Sequence, residues 1–369
     1  MNLRDYQKRV VEWAKTKDGL IIAPAGSGKT WIAAAICAHH STARIGWLAP
    51  TIETCKQAKV ALDLAGVDPN RYEIRCPHES VDFSKCDLLI VDIQMPGLTA
   101  EDTADLLQQS GIHHPAVGQN LRLHPVSLVA GAFADRIGMW HGTMQAAKSE
   151  QFIEATDDRN GYIIESAPGH PGLLALGIPW TSRPEHERLM ALAPNIAPLL
   201  AIVKDDGGGT VSRTKGGFPQ IDYRTTARDE RGLRHALGSL AQIAEAAGAS
   251  EVIAAGSPPI SWRRDDGPDA FADMLTKLQR FDFAPNRGTV FSAHQMGTAR
   301  MGSNPNDHVC DPWGRVRSTS RPAATDPRKG IVKGLYVADT SLFPTAIGVN
   351  PMVTVLALAK RVARTILAD

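Results

Sequence analysis

The sequence predicts an α/β chain in two parts: a parallel sheet at the N-terminus, then a larger α+β part from about residue 110. Three observations predict this. Short apolar runs alternate with helix-length segments between residues 19 and 92, the rhythm of strands joined by right-handed helical crossovers. That rhythm stops after Asp92, and from Ser110 the strands become short and separated by turns rich in His, Pro and Gly. A length of 369 residues leaves room for about two domains.

In order, residues 4–17 carry Tyr6, Val10, Val11 and Trp13 at helical spacing. Gly19 to Ala23 is a short apolar strand, Gly26 to Thr30 a loop, and Trp31 to His40 a helix. Ile45 to Ala49 is a second strand, followed by a helix near 52–65, a strand near 72–75 and a buried strand from Asp87 to Asp92. Pro96-Gly97 marks a turn and Ala100 to Gln109 a helix. The boundary lies between Gln94 and Ser110, which gives units 1–94 and 110–369 with a junction at 95–109. In the second unit Gly207-Gly208-Gly209 reads as a hairpin turn. Helices follow at 229–247, near 268–279 and from Pro351 to about Leu367.

Composition narrows the functions. The charged side chains nearly balance, 40 basic against 39 acidic, for a net charge of +1, so no global field favours nucleic acid or an anionic membrane. The five cysteines, at 37, 55, 76, 86 and 310, are scattered without a Cys-x-x-Cys pair, which indicates neither a disulfide framework nor a zinc site. No apolar run reaches the ~18 residues of a membrane span, and the expected compartment is cytoplasmic. Asp307, His308 and Cys310 lack partners at metal-ligand spacing. His113-His114 read as loop residues, and Trp140, Trp180 and Trp262 as core or pocket wall.

Two motif sets carry chemistry. Ala23-Pro-Ala-Gly26-Ser27-Gly28-Lys29-Thr30 lies between an apolar strand and a helix. Such a loop turns backbone N–H groups onto phosphate oxygens, with Lys29 on the β/γ charge and Thr30 on Mg²⁺. With Leu3-Arg-Asp-Tyr6-Gln7, Ala49-Pro50-Thr51 and Leu88-Leu-Ile-Val-Asp92, this segment resembles the first motor domain of superfamily 2 helicases over about residues 3–92. The resemblance implies a partial RecA-like sheet binding ATP, with Gln7 on adenine, Asp92 on Mg²⁺, and a weak nucleic-acid contact through Ala49 to Thr51. Where that family has Asp-Glu-x-His, this chain reads Asp92-Ile93-Gln94-Met95. The residue that orients the attacking water is missing, so nucleotide binding is expected without helicase action.

The second set is Val117-Gly118-Gln-Asn120-Leu-Arg-Leu-His124-Pro125, Ser292-Ala-His294-Gln-Met-Gly297-Thr298-Ala-Arg-Met301-Gly302, Cys310-Asp-Pro-Trp313-Gly314-Arg-Val, and Gly334 to Met352. Together they resemble the glucose–methanol–choline (GMC) oxidoreductases, most closely their long-chain alcohol oxidase branch, from about residue 108 to the end. The resemblance implies the substrate-binding and C-terminal part of an FAD enzyme, built on an antiparallel sheet, that oxidises a small-molecule primary alcohol. It implies His294 as the base and Asn350 as its partner on the substrate oxygen. Asp339, Thr340, Gly348, Pro351 and Met352 would lie at the cofactor. A neutral imidazole suits proton abstraction near pH 7. A satisfied core histidine is the plain alternative for His294, and an ordinary turn aspartate for Asp339. Asn350 before Pro351 also reads as a helix start, Asn as N-cap and Pro in the first turn.

The Gly-x-Gly-x-x-Gly fingerprint that grips the ADP half of FAD is not in the sequence. The expected FAD site is therefore incomplete. The alternatives to an FAD-dependent alcohol oxidoreductase are an ATP-binding, helicase-like protein that contacts nucleic acid, and an inactive chimera of the two.

Overall fold

The computed structural model describes residues 38, 45–48, 52–75, 88–91, 100–143, 145–178, 181–317 and 330–366. The nucleotide-loop residues Gly26, Ser27, Gly28, Lys29 and Thr30 lie outside these, as do Gln7, Asp92 and the helix expected at 4–17.

The described N-terminal elements are β1 (Ile45–Leu48), α1 (Ile52–Leu64), β2 (Tyr72–Arg75) and β3 (Leu88–Val91). The strands form a parallel sheet in the order β2-β1-β3, with Trp47 paired to Ile74 on one side and Ile90 on the other. Parallel pairing with a helix between β1 and β2 is what the alternation of runs requires.

The helix α2 (Ala100–Gln109) forms where expected. The sequence places it in the junction, yet Ala104 and Leu107 are buried in one core with Leu121, Val211, Ala299, Val309 and Val337. Its polar side chains bind the same body: Gln108 Nε2 donates to the Val211 carbonyl at 2.9 Å and Arg213 pairs with Asp105 at 2.5 Å.

The main sheet has six strands, all antiparallel: β4 (Val126–Ala132), β5 (Lys148–Ser149), β6 (Tyr162–Ser166), β7 (Ile196–Val203), β10 (Glu251–Ala254) and β11 (Ile260–Arg263), in the order β11-β10-β4-β7-β6-β5. Helices α3 (Pro171–Gly177) and α4 (Arg183–Ala191) lie between β6 and β7 in sequence. The long helix α5 (Ala227–Ala246) packs on the sheet. Its buried residues Leu233, Ala236, Leu237, Leu240, Ala241 and Ala244 repeat every three or four positions, which puts one apolar stripe on the sheet. Thr226 and Asp229 cap it reciprocally. The helix α6 (Gly267–Leu278) buries Met274 and Leu278 in the same core, beside the buried Trp262.

The hairpin of β8 (Gly208–Arg213) and β9 (Pro219–Arg224) corrects one expectation. Gly208 and Gly209 are not a turn; they open β8 and pair with Arg224 and Tyr223. The turn lies at residues 214–218, where Thr214 N–H donates to the Phe218 carbonyl at 2.9 Å and Gly217 carries φ +81°. The closing elements are β12 (Arg315–Arg317), β13 (Ile331–Tyr336) and α7 (Met352–Ile366). Among the described residues no helix is long and apolar enough to cross a membrane.

Candidate active site

Three segments converge on one buried histidine. Residues 122–126 and 291–296 run side by side through bridges Arg122–Met296 and Val126–Phe291. This brings His124 against His294, with Nδ1–Nδ1 3.4 Å apart and the rings edge to face at 5.5 Å. The third segment arrives at Gly348, whose N–H donates to His124 Nε2 at 2.9 Å. Gly348 has φ +75°, and a Cβ there would stand 3.0 Å from the Lys204 side chain. Glycine is required for both reasons.

The backbone of His124 is itself fixed. The N–H groups of Leu123 and His124 donate to the two oxygens of Asp205, each at 3.1 Å, and the Tyr223 hydroxyl donates to the same carboxylate at 2.9 Å. Burial pushes the Asp205 carboxyl up, against these donors, which favour its charged form. Ser292 Oγ donates to the Leu123 carbonyl and accepts the His294 N–H at 3.1 Å, tying the two histidine segments together.

These bonds determine protonation. His124 is fully buried, and burial, then the neighbouring His294 and Lys204, push its pKa down to about 3. It is neutral at pH 7. Its Nε2 accepts from Gly348, so its single proton sits on Nδ1 and faces His294 Nδ1. Burial also lowers the pKa of His294, which favours the neutral imidazole.

Asn350 lies two residues beyond Gly348. Its side-chain amide donates to the buried Glu165 Oε2 at 3.2 Å. His294 and Asn350 make no direct hydrogen bond; they approach through His124 and the Gly348 segment. The helix starts one residue later than the reading of Asn350 as its cap: α7 begins at Met352, the Pro351 carbonyl accepts the Val355 N–H at 2.8 Å, and one N–H of the Asn350 amide goes to Glu165, which leaves the other as a donor.

Asp339 sits after β13 and caps the short helix Thr340–Leu342. Its Oδ1 accepts from the Ser341 N–H at 2.7 Å and its Oδ2 from Thr103 Oγ1 at 2.7 Å. Both carboxylate oxygens of Asp339 are thus engaged within the chain. The segment is nonetheless joined to the histidine motif: the N–H groups of Gly297, Ala299 and Met301 donate to the carbonyls of Thr340, Ser341 and Leu342 at 2.9–3.1 Å. His294 and Asp339 thus belong to one hydrogen-bonded frame.

Among the described residues no cluster of His, Cys, Asp or Glu could hold a metal ion. His114 is buried, its Nε2 against the Pro305 carbonyl at 2.8 Å and its Nδ1 accepting from Ala116 N–H. The fit to a flavin is better. Met352, Val353 and Leu356, at the start of α7, are 69, 72 and 57% exposed. They form an uncovered apolar surface next to Asn350, at the positive end of the helix dipole. That combination suits an aromatic ring system that gains negative charge on reduction.

Sequence reasoning missed His124, Glu165 and Asp205 as parts of the site. His124 stood inside a recognised motif without a role. Glu165 and Asp205 had no local signal, because their partners lie 185 and 81–82 residues away.

This arrangement can be set beside known proteins. Residues 209–359 match the family model described as GMC oxidoreductase, and residues 1–102 match that of the Type III restriction enzyme, res subunit. The C-terminal part is thus related to GMC oxidoreductases and the N-terminal part to a helicase-like family. Among relatives, a long-chain-alcohol oxidase of Arabidopsis thaliana is 33% identical over 275 residues, 70% of this chain and 34% of its own length. An uncharacterised GMC-type oxidoreductase of Mycobacterium tuberculosis is 31% identical over 278 residues, 74% of this chain and 40% of its own. A solved structure titled for the formate oxidase of Aspergillus oryzae aligns over 77% of this chain and 55% of its own, at 16% identity and a TM-score of 0.48. The chain spans about a third to two fifths of the length of these curated relatives.

Proposed function

We propose that residues 110–369 are the catalytic region of an FAD-dependent oxidoreductase acting on the CH–OH group of a primary, long-chain alcohol. The observation that carries this reading is the convergence of His294, His124 and the Gly348–Asn350 segment, backed by the alcohol oxidase relatives. Bound FAD would supply the hydride acceptor, held at its flavin end by the segment from Gly348 to Met352 and the frame around Asp339 and Thr340.

The chain's own residues handle the proton and the oxygen. His294 is the base and takes the hydroxyl proton as the alcohol becomes an aldehyde. For this its Nε2 lone pair must be free, with its own proton on Nδ1. The His124 Nδ1–H faces that position, so the base form requires a small rotation that parts the rings. The 3.4 Å contact lies beyond the usual hydrogen-bond range and is the weak link that permits it. Asn350 donates to the alcohol oxygen, and Glu165 fixes which way the amide points.

Purified chain titrated with FAD tests this reading. Weak flavin binding is expected, because the adenosine end lacks its glycine fingerprint. Stoichiometric flavin retained through purification contradicts that part of the reading.

A second reading concerns residues 1–94 and rests on the family match and the parallel order β2-β1-β3. We infer that this unit binds ATP with Mg²⁺ through Gly26 to Thr30 and Asp92, with Gln7 on adenine. Contact with nucleic acid through Ala49 to Thr51 is its weaker corollary. Loss of ATP binding on Lys29→Ala tests it.

A further inference from the structure

The far end of α7 carries a second site that the alcohol chemistry does not use. A cavity of about 500 Å³ opens there between the helix and the loop preceding β12. Trp313, Arg315, Lys360, Arg361 and Arg364 line it, and no carboxylate side chain does. Its volume falls in the range of small-molecule sites.

The loop is built to hold Trp313 and Arg315 against the helix. Asp311, itself buried, accepts the N–H groups of Trp313 and Arg315 at 2.9 and 3.0 Å and the Arg315 guanidinium at 3.2 Å. Gly314 adopts φ +85° and passes so close to α7 that a Cβ would meet the Val362 side chain at 2.6 Å. Trp313 is left 49% exposed, with the Arg315 guanidinium 5.8 Å from its ring centre.

The charge is local. The chain is almost neutral overall, and arginines such as Arg183, Arg188, Arg213, Arg228, Arg231 and Arg234 all have carboxylate partners. Lys360, Arg361 and Arg364 make no ion pair among the described residues. Complementing the helix dipole accounts for Arg364 in the last turn, but that effect fades within one turn and does not reach Lys360 or Arg361. Like charges four apart, as at Lys360 and Arg364, weaken a helix. A ligand that supplies negative charge removes the cost.

We propose that this cavity binds a nucleoside diphosphate, its base stacked on Trp313 and its phosphates held by Lys360, Arg361 and Arg364. An aromatic wall beside clustered cations recognises such a molecule through stacking and charge-assisted hydrogen bonds. This site shares no residue with the Gly26 to Thr30 loop or with the histidine pair, and it stands whether or not either of those works.

The test uses the full chain with Lys29→Ala, which silences the N-terminal loop. Calorimetric titration with ADP is expected to show one site. Lys360→Glu combined with Arg364→Glu should weaken ADP at least tenfold, and these exposed positions leave the circular dichroism spectrum unchanged. Trp313→Leu should weaken ADP several-fold while leaving inorganic pyrophosphate unaffected. No ADP binding to the Lys29→Ala chain overturns the proposal, as does binding that survives the charge reversal. Equal affinity for ADP and pyrophosphate with a silent Trp313→Leu overturns the nucleotide assignment.

Discussion

His124→Ala tests the buried histidine on two axes at once. At pH 7 the substitution leaves the Gly348 N–H without its acceptor, at about 1–3 kcal/mol for an orphaned buried donor. It also empties the volume of a fully buried ring, which adds a cavity term of order 1–2 kcal/mol. The pH dependence is more specific. The folded pKa of His124 lies near 3, against about 6.5 in the unfolded chain. A depressed pKa contributes stability that is fully present above the unfolded value and is lost as pH falls towards the folded one. Between pH 7 and pH 5 only the unfolded state takes up this proton, and linkage gives a loss of about 2 kcal/mol. The variant lacks the group and is spared that loss. Urea unfolding followed by near-ultraviolet circular dichroism at the two pH values measures the gap between wild type and variant. The gap should shrink by about 2 kcal/mol on going from pH 7 to pH 5. A gap that stays constant refutes the claim that the fold holds His124 neutral.

The same frame yields three further expectations. Gly348→Ala forces a side chain into a left-handed backbone against Lys204 and should cost roughly 1–2 kcal/mol, read as a lowered thermal midpoint. Asp205→Ala removes the acceptor of two backbone N–H groups and the Tyr223 hydroxyl; a loss of about 3 kcal/mol or more is expected, and an unchanged urea midpoint would show that water replaces the carboxylate. In the N-terminal unit, ATP turnover should be slow because Ile93 stands where the water-orienting acid is needed; robust hydrolysis that Lys29→Ala abolishes would show that another residue fills that role.

Regular elements were legible because their signals are local. The long helix expected at 229–247, the alternation that gives β1 to β3, and the helix at 100–109 all follow from spacing within one element, although the Thr226–Asp229 cap that starts α5 was not read. Placement was less legible. The helix α2 read as a junction because its partners, Val211 and Asp339, lie far along the chain. Gly207 to Gly209 misled because three glycines signal a turn, whereas here Gly209 accepts a strand partner: its Cβ would meet the Asp222 carbonyl at 2.5 Å. In the candidate site the motif pointed to His294 and Asn350. It could not show that Asn350 would be oriented by Glu165, or that a second histidine would face His294, since both depend on non-local contacts.

The visible absorption spectrum reports both flavin binding and the role of His294 as base. It would be recorded on residues 108–369 joined to an intact dinucleotide-binding half from a related oxidoreductase, before and after anaerobic addition of a long-chain primary alcohol. A bound-flavin spectrum that the alcohol bleaches is expected, and a His294→Ala version should keep the flavin but bleach at least a hundredfold more slowly, in line with the ~10²–10⁴ that a positioned base contributes. Equal bleaching rates in the two proteins would contradict the assignment of His294 as the base.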